Sequence, residues 1–280
     1  MGEVMQTRAM KFFTVDVEDW FQAGVMQRYL RLNPSLSKQD RLEDNMQWLL
    51  NTLDAYDYTG TFFCLGNLVD QYAPLLESLA ARGHEVASHG MTHTNLTHLD
   101  AKSLEWELKE SKRLLEETVN QLVVGFRAPN FSITDQAIDA LLKAGYLYDS
   151  SVFPITGRKG YGKLQALPMA LQPYTFDNGL REFPLTTTEM GPWRIPIAGG
   201  AYLRHFPFSW MKNKIAKAAD QGYYHMYIHP WEIDQNHPVV ENMRWIDYAR
   251  HYRNMGKMHT RVQELFEQQS FHSIKQYLES

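Results

Sequence analysis

Short apolar runs alternate with stretches of helical periodicity along most of this 280-residue chain, and that order constrains the fold more than any other feature. Residues 11–17 read as a first strand. Residues 41–56 follow, with Leu42, Met46, Leu49, Leu50 and Leu53 at helical spacing. Next come a strand at 61–65, a helix at 68–82 stopped by Gly83, and a strand at 84–88. A Glu- and Lys-rich helix at 103–119, a strand at 123–128, a helix at 134–144 and a strand at 146–149 continue the pattern. Later the chain offers a helix at 210–219, a strand at 223–229, and helices at 239–253 and 260–280. Such alternation predicts an α/β architecture of parallel strands joined by helical crossovers.

Residues 153–208 break the rhythm. Pro154, Gly157, Gly160, Gly162, Pro168, Pro173, Gly191 and Pro196 punctuate them, which reads as an insertion of short strands or hairpins. Long irregular segments on α/β scaffolds often line a site. No linker-like composition divides the chain, so the expectation is one domain over 1–280 with an insertion at 153–208. The single cysteine, Cys64, lies in an apolar run and is expected as a core thiol.

Composition removes several function classes. Net charge is −4 with no long basic run, so nucleic acid is not an expected partner. No apolar stretch approaches the roughly 20 residues that span a bilayer. Residues 1–10 lack the apolar core of a signal peptide, and the expected location is cytoplasmic, without a membrane span.

The chemically informative residues cluster where strands end, the position that carries the site in barrel-like α/β folds. Asp16, Glu18 and Asp19 follow the first strand; carboxylates this close repel unless a cation sits among them. His89 and His93 follow the strand at 84–88, and a helical turn there would set both imidazoles on one side for a metal. Two imidazoles and a carboxylate make a facial set with open positions. Arg127, followed by Ala128-Pro129-Asn130-Phe131, places a fixed cation beside a turn whose N–H groups could hold an oxyanion. His229 ends the late strand, where a general acid would be well placed. Each motif also has a plain structural reading; it is their order and common placement that carry the inference.

With those motifs in hand, the chain resembles the polysaccharide deacetylases of carbohydrate esterase family 4, which share the NodB homology domain. The resemblance runs from Phe12 to Asp234, and D-V-E-D at 16–19, H-P-W-E-I-D at 229–234 and G-G-A-Y-L-R at 199–204 look like the branch found in exopolysaccharide gene clusters. It implies a distorted (β/α) barrel of seven or eight strands and a divalent metal, Zn²⁺ foremost. It further implies metal-dependent removal of N-acetyl groups from a polysaccharide, oligosaccharide or lipid-linked glycan. Asp16 would be the base, Arg127 its orienting partner, His229 the acid, and His89 and His93 metal ligands. The third ligand falls on Asp19 by side-chain type and by the turn beginning there, or on Glu18 by strand parity. Asn130 and Phe131 would supply the oxyanion N–H. Phe153 would be an apolar wall, and Arg204 and Trp231 substrate contacts, with Tyr161, Tyr174, Trp193 and Tyr202 further candidates in the insertion. The family's usual orienting Asp for the late His is missing, because Val152 and Phe153 stand at the Asp-Trp pair. Glu182, Asp149 and Glu232 are open substitutes. Two alternatives remain: a metal-independent cyclic amide hydrolase of the allantoinase type, and a catalytically dead carbohydrate-binding protein.

Overall fold

The computed structural model describes residues 10–33, 38–155, 164 and 170–280. Ten strands are found among them: β1 Met10–Val17, β2 Thr61–Cys64, β3 Glu85–Ser88, β4 Gly125–Phe126, β5 Tyr148–Asp149, β6 Tyr174–Thr175, β7 Arg181–Glu182, β8 Thr187–Met190, β9 Trp193–Pro196 and β10 Tyr223–Ile228. Eight form one sheet in the order β10-β1-β2-β3-β4-β5-β7-β6, and β8 and β9 make a separate hairpin. Every pairing from β10 to β7 is parallel, and only the edge strand β6 is antiparallel. The sheet curls into a half-barrel. Just past β7, Thr186 N–H donates to His225 O at 3.4 Å, and its hydroxyl accepts from His225 N at 2.7 Å. Past β9, Ala198 O accepts from Tyr227 N at 2.7 Å. Both segments thus reach the outer edge of β10 and cover part of it.

Strand parity sorts the side chains of β1. Phe13, Val15 and Val17 join the main core with Leu49, Leu53 and Leu79 of the covering helices Leu42–Ala55 and Val69–Ala81. Phe12 faces the barrel interior, where it meets Phe183, Tyr223 and His272 edge to face at 5.5, 6.1 and 5.2 Å. Thr14 and Asp16 share that inward face, one and two pleats nearer the C-terminal end. The aromatic layer closes the bottom of the barrel, and the polar residues lie above it.

Three expectations change. A helix at Gly24–Leu32 stands in a stretch assigned no element from sequence. The helix expected at 239–253 is confined to Trp245–Tyr252, because Pro238 precedes it and Arg244 enters in an extended conformation. The one expected at 260–280 is two, Met258–Gln268 and Ile274–Leu278. Between them the chain extends so that His272 can bridge to Phe12 of β1.

Candidate active site

The ends of β1, β3, β4 and β10 converge on one cluster. Glu18 Oε1 lies 3.0 Å from His89 Nε2 and 2.8 Å from His93 Nε2. The ligand atoms of these three residues fall within 4.8 Å of one another. The His89 tautomer follows from its other partner: Nδ1 lies 2.8 Å from Arg127 O, which can only accept, so Nδ1 carries the proton and Nε2 presents a lone pair. A lone pair and a carboxylate oxygen therefore face each other across 3.0 Å. Two acceptors hold that arrangement only with a cation between them, whether an added proton or a metal ion. Burial would lower His93; the Glu18 carboxylate outweighs it and holds the imidazole above its usual range. Burial would raise Glu18, and His93 and His229 bring it well below the usual carboxylate range. Two imidazoles and a carboxylate, buried and anionic in sum, fit a divalent transition metal with open positions for other ligands.

Asp19 does not join this cluster. Its Oδ1 accepts from Trp20 N at 2.6 Å and its Oδ2 from Arg41 N at 2.9 Å, so the carboxylate caps the turn that follows β1. Burial pushes it up to about 6 despite those bonds. Of the two carboxylates left open, Glu18 is the one set beside the histidines, as strand parity has it, while the Asp19 side chain turns away to backbone N–H groups. Nor is the H-x-x-x-H segment helical. Gly90 has φ +80° and His93 φ +59°. Buried Glu107, on the helix Ala101–Val119, draws in the N–H groups of Met91 at 2.6 Å and Thr92 at 3.1 Å. It is this loop, held from behind by Glu107, that brings His93 back beside His89.

Arg127 is fully buried and all five of its N–H donors are placed. Nε donates to Ser150 O at 2.9 Å, and Nη1 to Thr14 Oγ1 at 2.9 Å and Asp16 Oδ1 at 2.6 Å. Nη2 donates to Ser150 Oγ at 2.7 Å and to His225 Nε2 at 3.0 Å. Burial and the guanidinium keep His225 well below its ordinary range, so it serves as a neutral acceptor. The Phe63 ring lies 4.1 Å under the guanidinium. Asp16 is thus fixed on one oxygen, while its Oδ2 points into the site, 3.9 Å from His229 Nε2.

His229 lies opposite, its Nε2 also 4.0 Å from Glu18 Oε2. Its Nδ1 and its backbone N are both 3.1 Å from Glu232 Oε2. Burial would lower the imidazole; Glu18, then Glu232 and Asp16, push it up to about 9. The other Glu232 oxygen receives Arg204 Nη2 at 3.1 Å and Nε at 3.3 Å. Of the three open carboxylates, Glu232 is the one that reaches His229. Gly200 makes room for it, since a Cβ there would meet Glu232 Oε2 at 2.2 Å. Glu182 and Asp149 are buried instead, where their carboxylates accept from Val152 N and Ser151 N of the turn that presents Ser150.

The remaining site candidates divide. Phe131, Phe153 and Tyr227 form a buried aromatic wall, with Phe131 5.4 Å from Phe153 and 5.1 Å from Tyr227. Asn130 and Phe131 both hold φ of +55°, a costly conformation for side-chain-bearing residues, of the kind that gathers at functional sites. Phe131 N–H is committed to Ala128 O at 2.9 Å. Arg204 is 1% exposed and Trp231 7%, so neither presents a surface to a glycan. Trp231 instead stacks between His229 at 5.4 Å and His251 at 4.7 Å. Trp193 is 69% exposed at the tip of the β8–β9 hairpin, Tyr174 and Tyr202 are half-buried, and Tyr161 lies outside the described residues. Sequence reasoning missed His225 and Glu107. Parity along β10 could have signalled His225, which shares a face with His229; Glu107 left no local mark.

Parts of the chain are similar to known proteins. Residues 36–148 match the family described as polysaccharide deacetylase, and residues 150–279 a domain of unknown function (DUF3473). The chain is 29% identical over 104 residues to the peptidoglycan deacetylase of Helicobacter pylori, covering 37% of this chain and 36% of that protein. It is 37% identical over 76 residues to the chitooligosaccharide deacetylase of Rhizobium leguminosarum bv. trifolii, covering 27% and 35%. The matched region thus spans about a third of the length of these relatives. Among solved structures, one from Mycobacterium smegmatis assigned as a polysaccharide deacetylase superposes with TM-score 0.62 at 18% identity, over 97% of this chain and 90% of that one. A CE4 family pseudoenzyme from Bacillus anthracis gives 0.52 at 14% identity, over 97% and 66%. At such identities the likeness is one of fold, and since a pseudoenzyme shares it, the chemistry has to be argued from this chain's own side chains.

Proposed function

We propose that the chain is a metal-dependent deacetylase that removes N-acetyl groups from an amino-sugar glycan. One observation carries the reading: a His89 lone pair, His93 and the Glu18 carboxylate converge within 3.0 Å contacts, beside a base candidate and an acid candidate on opposite sides. The family match and the deacetylase relatives support the substrate class. The resemblance of the D-V-E-D, H-P-W-E-I-D and G-G-A-Y-L-R motifs to the exopolysaccharide-cluster branch supports a glycan of that kind as substrate.

His89, His93 and Glu18 would hold the divalent ion, Zn²⁺ foremost. Bound there, it would polarise the acyl carbonyl and make water acidic enough to attack near neutral pH. The chain's own residues do the rest. Asp16 Oδ2 takes the proton of the attacking water, its carboxylate fixed by Arg127 through Oδ1. Of the two turn N–H groups, that of Phe131 is committed to Ala128 O, which leaves that of Asn130 to receive the developing oxyanion. His229 Nε2 gives its proton to the departing amine. Glu232 accepts from Nδ1 and keeps the imidazole in the orientation that presents Nε2, and Arg204 holds Glu232 in turn. Phe131, Phe153 and Tyr227 exclude water from one side.

The test is acetate release from a panel of N-acetylated oligosaccharides, with chelator-stripped protein and again after adding Zn²⁺ or Co²⁺. Release restored by metal and abolished in Asp16→Asn and His89→Ala is the expected result. Release indifferent to metal would replace this reading with the metal-independent cyclic amide hydrolase. Absence of both release and stoichiometric metal would leave a carbohydrate-binding protein on a dead fold.

A further inference from the structure

We propose that the helix Trp245–Tyr252, together with the neighbouring Gly24–Leu32, is a docking face for an anionic lipid bilayer. Five apolar side chains of this lobe stand out in water: Trp245 is 80% exposed, Leu32 72%, Val239 63%, Ile246 49% and Tyr248 44%. All five lie on this helix, on the segment leading into it, or on the helix packed against it. Trp245, Tyr248 and Tyr252 fall at i, i+3 and i+7, one face of the helix, and the two tyrosine rings are 4.7 Å apart. Tyr252 OH donates to Pro238 O at 2.9 Å and accepts from Val240 N at 3.0 Å, which sets Val239 beside that face. Leu32 lies one turn beyond Tyr29, whose hydroxyl donates to Asp247 Oδ2 at 2.7 Å and accepts from Arg244 N at 3.1 Å.

The charge around this patch identifies the occupant. Arg28, Arg31, Arg244, Arg250 and Arg253 are all exposed, in a chain whose net charge is −4. Among the described residues of 24–33 and 238–254, Glu241 is the exposed acid; the Asp247 carboxylate is engaged by Tyr29, by Arg244 at 3.3 Å and by Arg28 at 3.9 Å. A cationic collar with Trp and Tyr at its centre matches the headgroup layer of an anionic leaflet. Leu32, Val239 and Ile246 favour hydrocarbon over a glycan, which would stack on the aromatic rings and leave these aliphatic groups wet. A second copy of the chain would bring the same five arginines against themselves. The lobe also touches the candidate site: its buried core includes Trp20, Met26, Tyr29 and Trp231, and Trp231 stacks on His229.

The test needs no substrate, so it stands apart from the deacetylase reading. The full chain is sedimented with vesicles of phosphatidylcholine alone and of phosphatidylcholine mixed with phosphatidylglycerol. Binding to the mixed vesicles about tenfold or more tighter, falling with added salt, is expected. Trp245→Ser with Ile246→Ser should weaken it about tenfold, and Arg31→Glu or Arg250→Glu several-fold each, all with unchanged thermal melts. Four results would overturn the proposal: equal binding to both vesicle types, binding indifferent to the Trp245 and Ile246 changes, retention on an anionic polysaccharide without vesicle binding, or a dimer that the same changes dissolve.

Discussion

At the scale of single residues, Glu18 and Asp19 adjoin in sequence and separate in role, so they should separate in measurement. Glu18→Ala removes one of three converging ligand atoms; we expect stoichiometric metal to be lost on dialysis and acetate release to fall by about 10²-fold or more. Asp19→Ala removes a cap from the turn after β1 and should cost about 1 kcal/mol of stability, with metal retained. Metal analysis and thermal melts on the two proteins decide it; metal lost from Asp19→Ala and kept in Glu18→Ala would reverse the assignment. A second contrast concerns His229. Only its protonated form can donate, and that form is lost as pH rises through about 9. A cation at Glu18 cancels that carboxylate's pull and leaves Glu232 as the strongest remaining influence in favour of the proton. Glu232→Gln should therefore move the basic limb of the kcat profile down by about one pH unit, and Gly200→Ala, whose Cβ would strike Oε2 at 2.2 Å, should do the same. An unmoved limb in both would take Glu232 out of the mechanism. Residue types and their order along the chain were readable without coordinates, because metal and proton chemistry narrow the choice of side chain. Which of two adjacent carboxylates turns inward was not: parity and turn preference disagree at residues 18 and 19, and the backbone N–H groups of Trp20 and Arg41 settle it.

At the scale of elements, the strands were legible because parallel strands buried on both faces read as unbroken apolar runs, as Thr61–Cys64 does. The loops were less so. A helical turn at His89–His93 was a fair expectation from spacing, yet Glu107, fourteen residues further on, captures the N–H groups such a turn would have used. The turn after β5 is held in a similar way. Val152 N donates to Glu182 Oε1 at 2.9 Å, and Ser151 N and Oγ donate to Asp149, so Ser150 is presented to Arg127. Burial raises both carboxyls, and the Asp149 charge beside it pushes Glu182 well above the usual carboxylate range. A carboxyl raised on folding stabilises fully below its unfolded value, about 4.3 for Glu, and that stabilisation is lost as pH rises through the folded value. Gln mimics the protonated acid and does not titrate. The melting temperature of Glu182→Gln should therefore gain on that of the parent by about 2–4 °C per pH unit between pH 5 and the folded value. Calorimetry at pH 5, 6.5 and 8 reads this directly, and a gap that stays constant across that range would mean Glu182 is ionised in the fold.

At the scale of the whole molecule, the two family matches meet between residues 148 and 150, in the middle of the sheet. β5 ends at Asp149 and is flanked by β7 of the second match, while β10, also of the second match, flanks β1, which precedes the first. β10 pairs with β1 along six residues, Met10↔Tyr223 to Val15↔Ile228, and it carries His225 and leads into His229. A fragment ending at 149 would leave β1 with a bare inward edge, Arg127 without two of its acceptors at Ser150 and one at His225, and Phe12 without Phe183, Tyr223 and His272. Unpaired donors on a buried guanidinium cost far more than a surface loss. We therefore expect residues 1–149 and 150–280, expressed apart, each to lack a cooperative melt and to recover one, with stoichiometric metal, only when combined. Circular dichroism melts of the separate and mixed fragments measure this. A cooperative transition in the isolated first fragment, with metal bound to Glu18, His89 and His93, would show that the deacetylase-like part folds alone and that the second match is a separate domain.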